Sequence, residues 1–176
     1  MQRGSFNIPA SSYIAALRRN KVDYFITVPD WIQLALHTQI EQEGDMFTNI
    51  TCANEDQAVC VSTGLRIAGK NPIVAVQNQG IFGCMNSVRA VTIDARLPVV
   101  FLIGQFGRED ANFGRNPMHS KRSMVRYLEP LLNVMDIKNW RLERPEDLEC
   151  MDEAFKYSHE TGRPAALLVG APTAWE

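Results

Sequence analysis

The sequence predicts one α/β domain of three layers, in which helices cover both faces of a six-stranded, mostly parallel β-sheet. Apolar segments of strand length alternate along the chain with longer segments of helical period, which is typical of parallel β-α-β units. The segment 97–104 is apolar on both of its faces, as expected for a central strand. The length of 176 residues fits a single domain spanning residues 1–176.

The helices are predicted from apolar residues that recur every three to four positions and from signals at the helix ends. Pro9 opens the first helix, because its fixed φ suits a first turn. Gly44 follows the second, where the missing Cβ permits the conformation that ends helices. Asn54 begins the third as an N-cap, with Gln57 as its capping-box partner. The six helices are predicted at residues 9–20, 31–43, 54–69, 84–95, 124–135 and 145–161.

The strands are predicted from short apolar or β-branched runs that lie between polar and glycine-containing segments. Residues 77–83 are polar, contain two glycines and are predicted as a turn before the fourth helix. Residues 105–120 are rich in Gly, Asn and Arg and have no period, which predicts a long loop of the kind that is often functional or mobile. The six strands are predicted at residues 23–28, 46–52, 72–77, 97–104, 136–142 and 165–169.

Composition and charge exclude several classes of function. The chain has 18 Lys and Arg against 20 Asp and Glu, a net charge of -2, so it lacks the positive field of a nucleic-acid-binding protein. It has neither the apolar run of a membrane-spanning helix nor a signal-peptide pattern, and we expect a soluble, cytoplasmic protein without a membrane partner. The cysteines show no metal-binding spacing and are expected to be reduced and buried: Cys52, Cys60, Cys84 and Cys150.

The functional site is expected outside the carboxyl ends of the parallel strands, where ligands bind in open α/β sheets. Four segments follow predicted strands there: 28–31, 52–56, 77–80 and 105–120. The third is not a phosphate-binding loop, because its glycines are spaced only G-x-x-G and no Lys-Ser or Lys-Thr follows.

Glu55 is the most informative residue of these segments. An acid in a first helical turn stabilises the helix dipole by about 0.3–1 kcal/mol, which alone could explain its presence. The same edge, however, gathers more polar side chains than a packed edge needs, and a carboxyl group among uncharged hydrogen-bonding groups suits a heteroaromatic nitrogen. The polar residues of this edge are Asp30, Glu55, Gln77, Asn78 and Gln79.

Four sequence motifs resemble those of the aminopyrimidine-binding (PYR) domain of thiamine diphosphate enzymes. They are Phe25-Ile-Thr-Val-Pro-Asp30, Glu55-Asp-Gln-Ala58, Ile67-Ala-Gly-Lys70 and Val76-Gln-Asn-Gln-Gly80. The order and spacing agree over residues 9–170, and the chain most resembles the α subunits of sulfopyruvate and phosphonopyruvate decarboxylases.

The resemblance implies a role for Glu55 in activating the cofactor. In the family, a glutamate at this position hydrogen-bonds N1′ of the aminopyrimidine and favours the tautomer whose amino group removes the thiazolium C2 proton. The cofactor then acts as the electron sink for loss of carbon dioxide from a 2-oxo acid. The implied cofactor contacts are Pro29, Glu55, Asn78, Gln79 and Gly80, and the implied substrate contacts are Asp30, Gln77, Phe82, Gln105 and Arg108.

The second half of a thiamine diphosphate site is missing from the sequence. Family members hold the diphosphate and Mg²⁺ with a Gly-Asp-Gly motif followed by Asn-Asn, whose side chains supply oxygen ligands. This chain has only Gly44-Asp45-Met46. The resemblance therefore implies a separate β subunit that carries the diphosphate and Mg²⁺ site, in an assembly of α2β2 or larger, and no metal ligands in this chain.

Departures from the family pattern affect the expected substrate. Gln79 stands where the motif usually has Ser, and Phe82-Gly83 replaces Gly-Asn. After the fourth strand, Gln105-Phe-Gly-Arg108 replaces His-Arg-Gly. A substrate with a sulfonate or phosphonate group would need basic donors from the 105–120 loop and the residues after it. These basic residues are expected to be solvated. An apolar or aromatic 2-oxo acid is therefore an equal alternative as the substrate. The candidate donors are Arg108, Arg115, Lys121 and Arg122, and the candidate apolar pocket residues are Phe82 and Phe106.

Asp30 has two interpretations, as a proton relay near the reacting centre or as a cap for the following helix. His119 is expected to be a solvated loop histidine. The leading hypothesis for function is the α subunit of a split 2-oxo acid decarboxylase. The alternatives are a carboligase of the acetolactate-synthase type, and a flavodoxin-like binding module in which Glu55 is only a first-turn acid.

Overall fold

A computed structural model describes residues 6–44 and 47–175 and contains a six-stranded, all-parallel sheet flanked by helices. The strand order is β2-β1-β3-β4-β6-β5. The strands are β1 (Tyr24–Thr27), β2 (Thr48–Thr51), β3 (Pro72–Gln77), β4 (Val100–Gly104), β5 (Lys138–Leu142) and β6 (Ala165–Val169). The predicted α/β class is confirmed.

The main helices alternate with the strands along the chain, so consecutive strands are joined by helical crossovers. They are α1 (Ala10–Arg19), α2 (Leu34–Gln42), α3 (Glu55–Ile67), α4 (Asn78–Ser87), α5 (Ser123–Arg126), α6 (Leu128–Val134) and α7 (Glu149–Thr161). A π-helical segment, Val88–Asp94, continues α4, and short 3-10 turns lie at Asp110–Asn112, Pro117–His119 and Pro145–Leu148.

Two apolar clusters form the core, one on each face of the sheet. Neighbouring residues of a strand enter opposite clusters because side chains alternate across a strand: Phe101 of β4 lies in one cluster and Leu102 in the other. Helices α1, α2 and α7 cover the first face, and α3, α4 and α6 cover the second. All five residues of β4 are buried, as predicted for a central strand.

Asn54 is confirmed as the N-cap of α3 and Gly44 as the residue that ends α2, but the predicted capping box is wrong in its second bond, because Gln57 bonds to Ala53 and not to Asn54. Asn54 Oδ1 accepts the Gln57 N–H at 2.9 Å, and Gln57 Oε1 reaches back to accept the Ala53 N–H at 2.8 Å. Gly44 follows α2 with a φ of 62°. The start of the predicted strand 46–52 and the Gly44-Asp45-Met46 motif lie partly outside the described residues.

The predicted turn at 77–83 is wrong, because α4 begins at Asn78, directly after β3. The Asn78 side chain stabilises this start, since its Oδ1 accepts the Gln79 N–H at 3.0 Å. The two glycines lie inside the helix. Gly80 faces α3 at close range, and Gly83 is exposed, so neither marks a turn.

The predicted helix 124–135 is divided at Tyr127 into α5 and α6. Pro130 explains the division, because proline has no N–H to donate to the carbonyl four residues earlier and its ring crowds that carbonyl.

Among the described residues, no helix combines the length and apolar character needed to cross a membrane. All four cysteines are free thiols, but burial is confirmed only for Cys52 and Cys84, since Cys150 is partly buried and Cys60 is exposed.

Candidate active site at the carboxyl edge of the sheet

The four segments singled out in the sequence lie at one edge of the sheet. They follow β1, β2, β3 and β4, which are parallel neighbours, so their carboxyl ends point the same way. This edge is where open α/β sheets bind ligands.

Glu55 is the first residue of α3, and its carboxyl group lies directly against Gly80 of α4. A Cβ atom at Gly80 would lie only 2.0 Å from Glu55 Cδ, so the glycine leaves the space that the carboxyl group occupies. Glu55 is partly exposed, and no described residue donates a hydrogen bond to it or forms an ion pair with it. Its neighbour Asp56 differs, because it accepts a hydrogen bond from the Ser87 hydroxyl. Glu55 therefore has a positioned carboxylate that is free to meet a ligand.

Of the two polar residues at the start of α4, one is exposed to solvent and the other is buried and hydrogen-bonded to a neighbouring loop. Gln79 is exposed beside Gly80. Asn78 is fully buried, and its Nδ2 donates to the Phe106 carbonyl at 3.1 Å, which ties α4 to the loop after β4. Phe82 packs against the core and Phe106 is exposed.

Asp30 is buried at the end of β1 and is held by several donors. Its Oδ1 accepts the Ile32 N–H at 2.8 Å, and its Oδ2 accepts the Gln33 Nε2–H at 2.7 Å. Burial raises the pKa of the Asp30 carboxyl, and hydrogen bonds from Gln33, Ile32, Gln77 and Gly104 partly oppose the rise. The bond to Ile32 shows that Asp30 caps the turn that leads into α2. The proton-relay interpretation of Asp30 stays a prediction.

Gln33 and His37, which the sequence analysis did not single out as site residues, hold Asp30 in place. Gln33 is fully buried, and its amide nitrogen also lies 3.3 Å from the Val76 carbonyl and 3.1 Å from that of Leu102. The Asp30 N–H donates to His37 Nε2 at 3.3 Å. Positions 30, 33 and 37 are separated by three and four residues, the spacing of one helical face. This pattern could have identified Gln33 and His37 as neighbours of Asp30.

Burial lowers the pKa of His37 from 6.5 to about 4, and this predicts a pH dependence of stability. The folded state needs a neutral ring, while the unfolded chain binds a proton below about pH 6.5, so folding stability is lost as the pH falls from about 6.5 to 4. The loss attributable to His37 is on the order of 3 kcal/mol.

His37→Gln tests this, because glutamine can still accept the Asp30 N–H but does not titrate. We expect urea unfolding to show a flatter pH profile for the variant than for the wild-type chain. The raised pKa of Asp30 acts in the opposite direction, but it is present in both proteins and largely cancels from the difference. Parallel pH profiles would contradict the assignment.

A cavity of about 290 Å³ opens beside Asp30, at the ends of β1, β2 and β3. Its lining combines two carboxyl groups with apolar side chains and includes no lysine or arginine. The lining residues are Thr27, Pro29, Asp30, Trp31, Leu34, His37, Thr38, Glu41, Thr51 and Gln77.

Arg108 is buried, and the expectation that the basic residues of this region are solvated is wrong for it. Its Nε donates to Asn112 Oδ1 at 3.0 Å and its Nη1 donates to Gln105 Oε1 at 2.8 Å. Nη1 also forms an ion pair with Glu143. Gln105 is likewise fully buried, so the structure places these two predicted substrate contacts inside the loop rather than in the open cavity. The other three basic residues, Arg115, Lys121 and Arg122, are exposed as expected.

Among the described residues, no group of three or more His, Cys, Asp or Glu side chains is placed to hold a metal ion.

The fold is an α/β domain, and its carboxyl edge presents the Glu55 carboxyl group at the start of α3, without a hydrogen-bond or ion-pair partner among the described residues. The chain resembles the α subunit of sulfopyruvate decarboxylase. It is 26% identical over 157 residues to sulfopyruvate decarboxylase subunit alpha of Methanocaldococcus jannaschii, which covers 89% of each chain. It is 21% identical over 169 residues to sulfopyruvate decarboxylase of Methanosarcina acetivorans, covering 96% of this chain and 41% of that protein. No family model matches the sequence. The resemblance stated from the motifs is confirmed.

Proposed function

We propose that this chain is the α subunit of a split, thiamine diphosphate-dependent 2-oxo acid decarboxylase. The observation that carries the proposal is the Glu55 carboxylate, which is seated against Gly80 at the ligand-binding edge and has no partner among the described residues. The similarity to a sulfopyruvate decarboxylase α subunit over 89% of both chains supports the same function.

The residues present fit the aminopyrimidine part of the cofactor. The carboxyl group of Glu55 would hold a proton at N1′ of the ring, and Gly80 keeps the space beside it clear. Pro29, Asn78 and Gln79 surround the same edge, although the Asn78 side chain is already bonded to the Phe106 carbonyl. When bound, thiamine diphosphate supplies the electron sink for the loss of carbon dioxide.

Asp30 is the second acid of the proposed mechanism. Burial favours its protonated form, and Gln33 and the Ile32 N–H fix its orientation toward the end of β4. A carboxyl group that is held and easily protonated can deliver a proton to a reacting carbon. We assign Asp30 and Gln77, which share one cavity, to the substrate side of the site.

The partner in this proposal is a β subunit that binds the diphosphate and Mg²⁺. The Methanosarcina relative supports this division, because the region similar to this chain fills only 41% of that protein and leaves room for a second domain. The Mg²⁺ and diphosphate ligands would come from that partner, in a hetero-oligomer of α2β2 or larger.

Co-expression tests the proposed function. The partner is a subunit from the same genome that carries Gly-Asp-Gly and Asn-Asn, and carbon dioxide release is measured over sulfo-, phosphono-, aliphatic and aryl 2-oxo acids. We expect release only when both subunits and the cofactor are present. The proposal would be contradicted if no carbon dioxide were released either by the mixed subunits or by a single subunit. Carbon-carbon bond formation in excess of aldehyde release would assign the site to a carboligase.

Gly80→Ala is expected to lower kcat of the complex strongly without unfolding the chain. The added methyl group would collide with the Glu55 carboxyl group and displace it, and a displacement of about 1 Å at a catalytic group can cost roughly 100-fold in rate. Gly83→Ala is the matched control, because it lies in the same helix and its Cβ would meet nothing within 4 Å.

Gly83→Ala should raise helix stability slightly, by about 0.5–1 kcal/mol, whereas in Gly80→Ala the displacement of Glu55 offsets this gain. Steady-state rates and thermal unfolding of the two variants separate the effects. Equal activity of Gly80→Ala and Gly83→Ala would show that the position of Glu55 does not matter for the rate.

A further inference from the structure

We propose that the loop after β4 forms a binding site for a tetrahedral oxyanion, meaning a sulfonate, phosphonate or phosphate group. The site is a second cavity, of about 260 Å³, lined by Glu109, Ala111, Asn112, Arg115, His119 and Lys121. No residue of the Glu55 edge lines it, so its existence does not rest on the proposed decarboxylase chemistry.

The main chain around this cavity is held by hydrogen bonds to the side chains of Arg108 and Glu109. Arg108 Nη2 donates to the carbonyls of Asn112 and Arg115 at 3.1 and 2.9 Å. On the other side, Glu109 accepts the Lys121 N–H at 2.6 Å and the Ser120 hydroxyl at 2.7 Å. The backbone that carries the two cationic side chains is thereby positioned before any ligand arrives, which reduces the cost of binding.

Positive charge predominates in the cavity. Arg115 and Lys121, both cations, line it. Within the described ranges, no carboxylate lies at ion-pair distance from Arg115. Glu109 is the one carboxylate in the lining, and both of its oxygens already accept hydrogen bonds from the loop, while its charge interacts with Lys121.

The donor set suits a tetrahedral oxyanion. An arginine guanidinium offers a planar pair of N–H groups to two oxygens, and a lysine ammonium adds a compact charge. The cavity beside Asp30 offers the opposite environment, since Asp30 and Glu41 line it and no lysine or arginine does. An anionic group is therefore expected to bind in the loop cavity and not in the cavity beside Asp30.

Binding of inorganic phosphate to the full chain tests the site without requiring catalysis. We expect saturable binding by nuclear magnetic resonance titration, weakened about tenfold in each of Arg115→Gln and Lys121→Gln, because each removes a charge-assisted hydrogen bond. Lys156→Gln is the control, since it removes an equal charge from the exposed surface of α7. Thermal unfolding confirms that the variants fold, and Arg115→Lys should bind more tightly than Arg115→Gln.

The complex with the β subunit distinguishes the sources of the oxyanion. If it belongs to the substrate, Arg115→Gln raises KM for 3-sulfopyruvate but not for pyruvate; if it is a free ligand, phosphate binding is lost and neither KM changes. Both outcomes support the site. No saturable binding at about 10 mM phosphate, or equal weakening by Lys156→Gln, would overturn it.

Discussion

Glu55→Gln in the reconstituted complex is expected to lower kcat by about 100-fold to 10,000-fold, the usual range for a positioned acid or base. Glutamine keeps the shape of the side chain but cannot share a proton with a ring nitrogen. The carboxyl group of Glu55 makes no hydrogen bond or ion pair with any described residue, so its removal should leave the fold and subunit assembly intact. Steady-state kinetics and circular dichroism measure the two effects.

Asp56→Asn is the matched control for this variant. It removes one negative charge from the same first turn of α3, and each loss of helix-dipole stabilisation should cost about 0.3–1 kcal/mol. The two variants therefore share the loss of helix-dipole stabilisation, and asparagine can still accept the Ser87 hydroxyl. Only Glu55→Gln should lose activity. Equal rates for the two variants would reduce Glu55 to a helix-stabilising acid, as in the binding-module hypothesis.

Arg108→Met is expected to destabilise the chain by about 3–5 kcal/mol, the cost of breaking a buried ion pair by removing one partner. The Arg108 side chain is 1% exposed and that of Glu143 is 13% exposed, so water cannot replace the lost partner well. The variant also leaves the Asn112 and Arg115 carbonyls without their donor. Urea unfolding measures the difference.

Arg141→Met provides the comparison, because Arg141 forms a bidentate ion pair with Glu129 in which the arginine side chain is 40% exposed. Exposed pairs contribute about 0–1 kcal/mol, so this variant should lose far less stability. A loss no larger for Arg108→Met than for Arg141→Met would contradict the anchoring role of Arg108. Adding Glu143→Gln to Arg108→Met should recover part of the stability, since it removes the unpaired charge.

The parts of the structure set by local sequence could be predicted. The N-cap at Asn54 and the stop at Gly44 depend on neighbouring residues alone. The edge that gathers Glu55, Asp30 and Gln77 follows from parallel strands, whose carboxyl ends must lie together. Pro130, inside a predicted helix, also carried the signal for the break that the structure shows.

The parts set by packing between distant segments could not be predicted. The burial of Arg108 depends on Glu143, which follows a different strand. The glycines and polar residues at the start of α4 resemble a turn by local composition, yet the segment is helical, and Gly80 allows α4 to approach Glu55 of α3 closely. The close contact of Glu55 and Gly80 exists only once those two helices are packed.

Calorimetric titration of thiamine diphosphate with Mg²⁺ tests most directly whether this chain provides one half of a divided site. The account predicts little or no binding to the chain alone and Mg²⁺-dependent binding once the β subunit is present. Tight, Mg²⁺-dependent binding by the chain alone would contradict it.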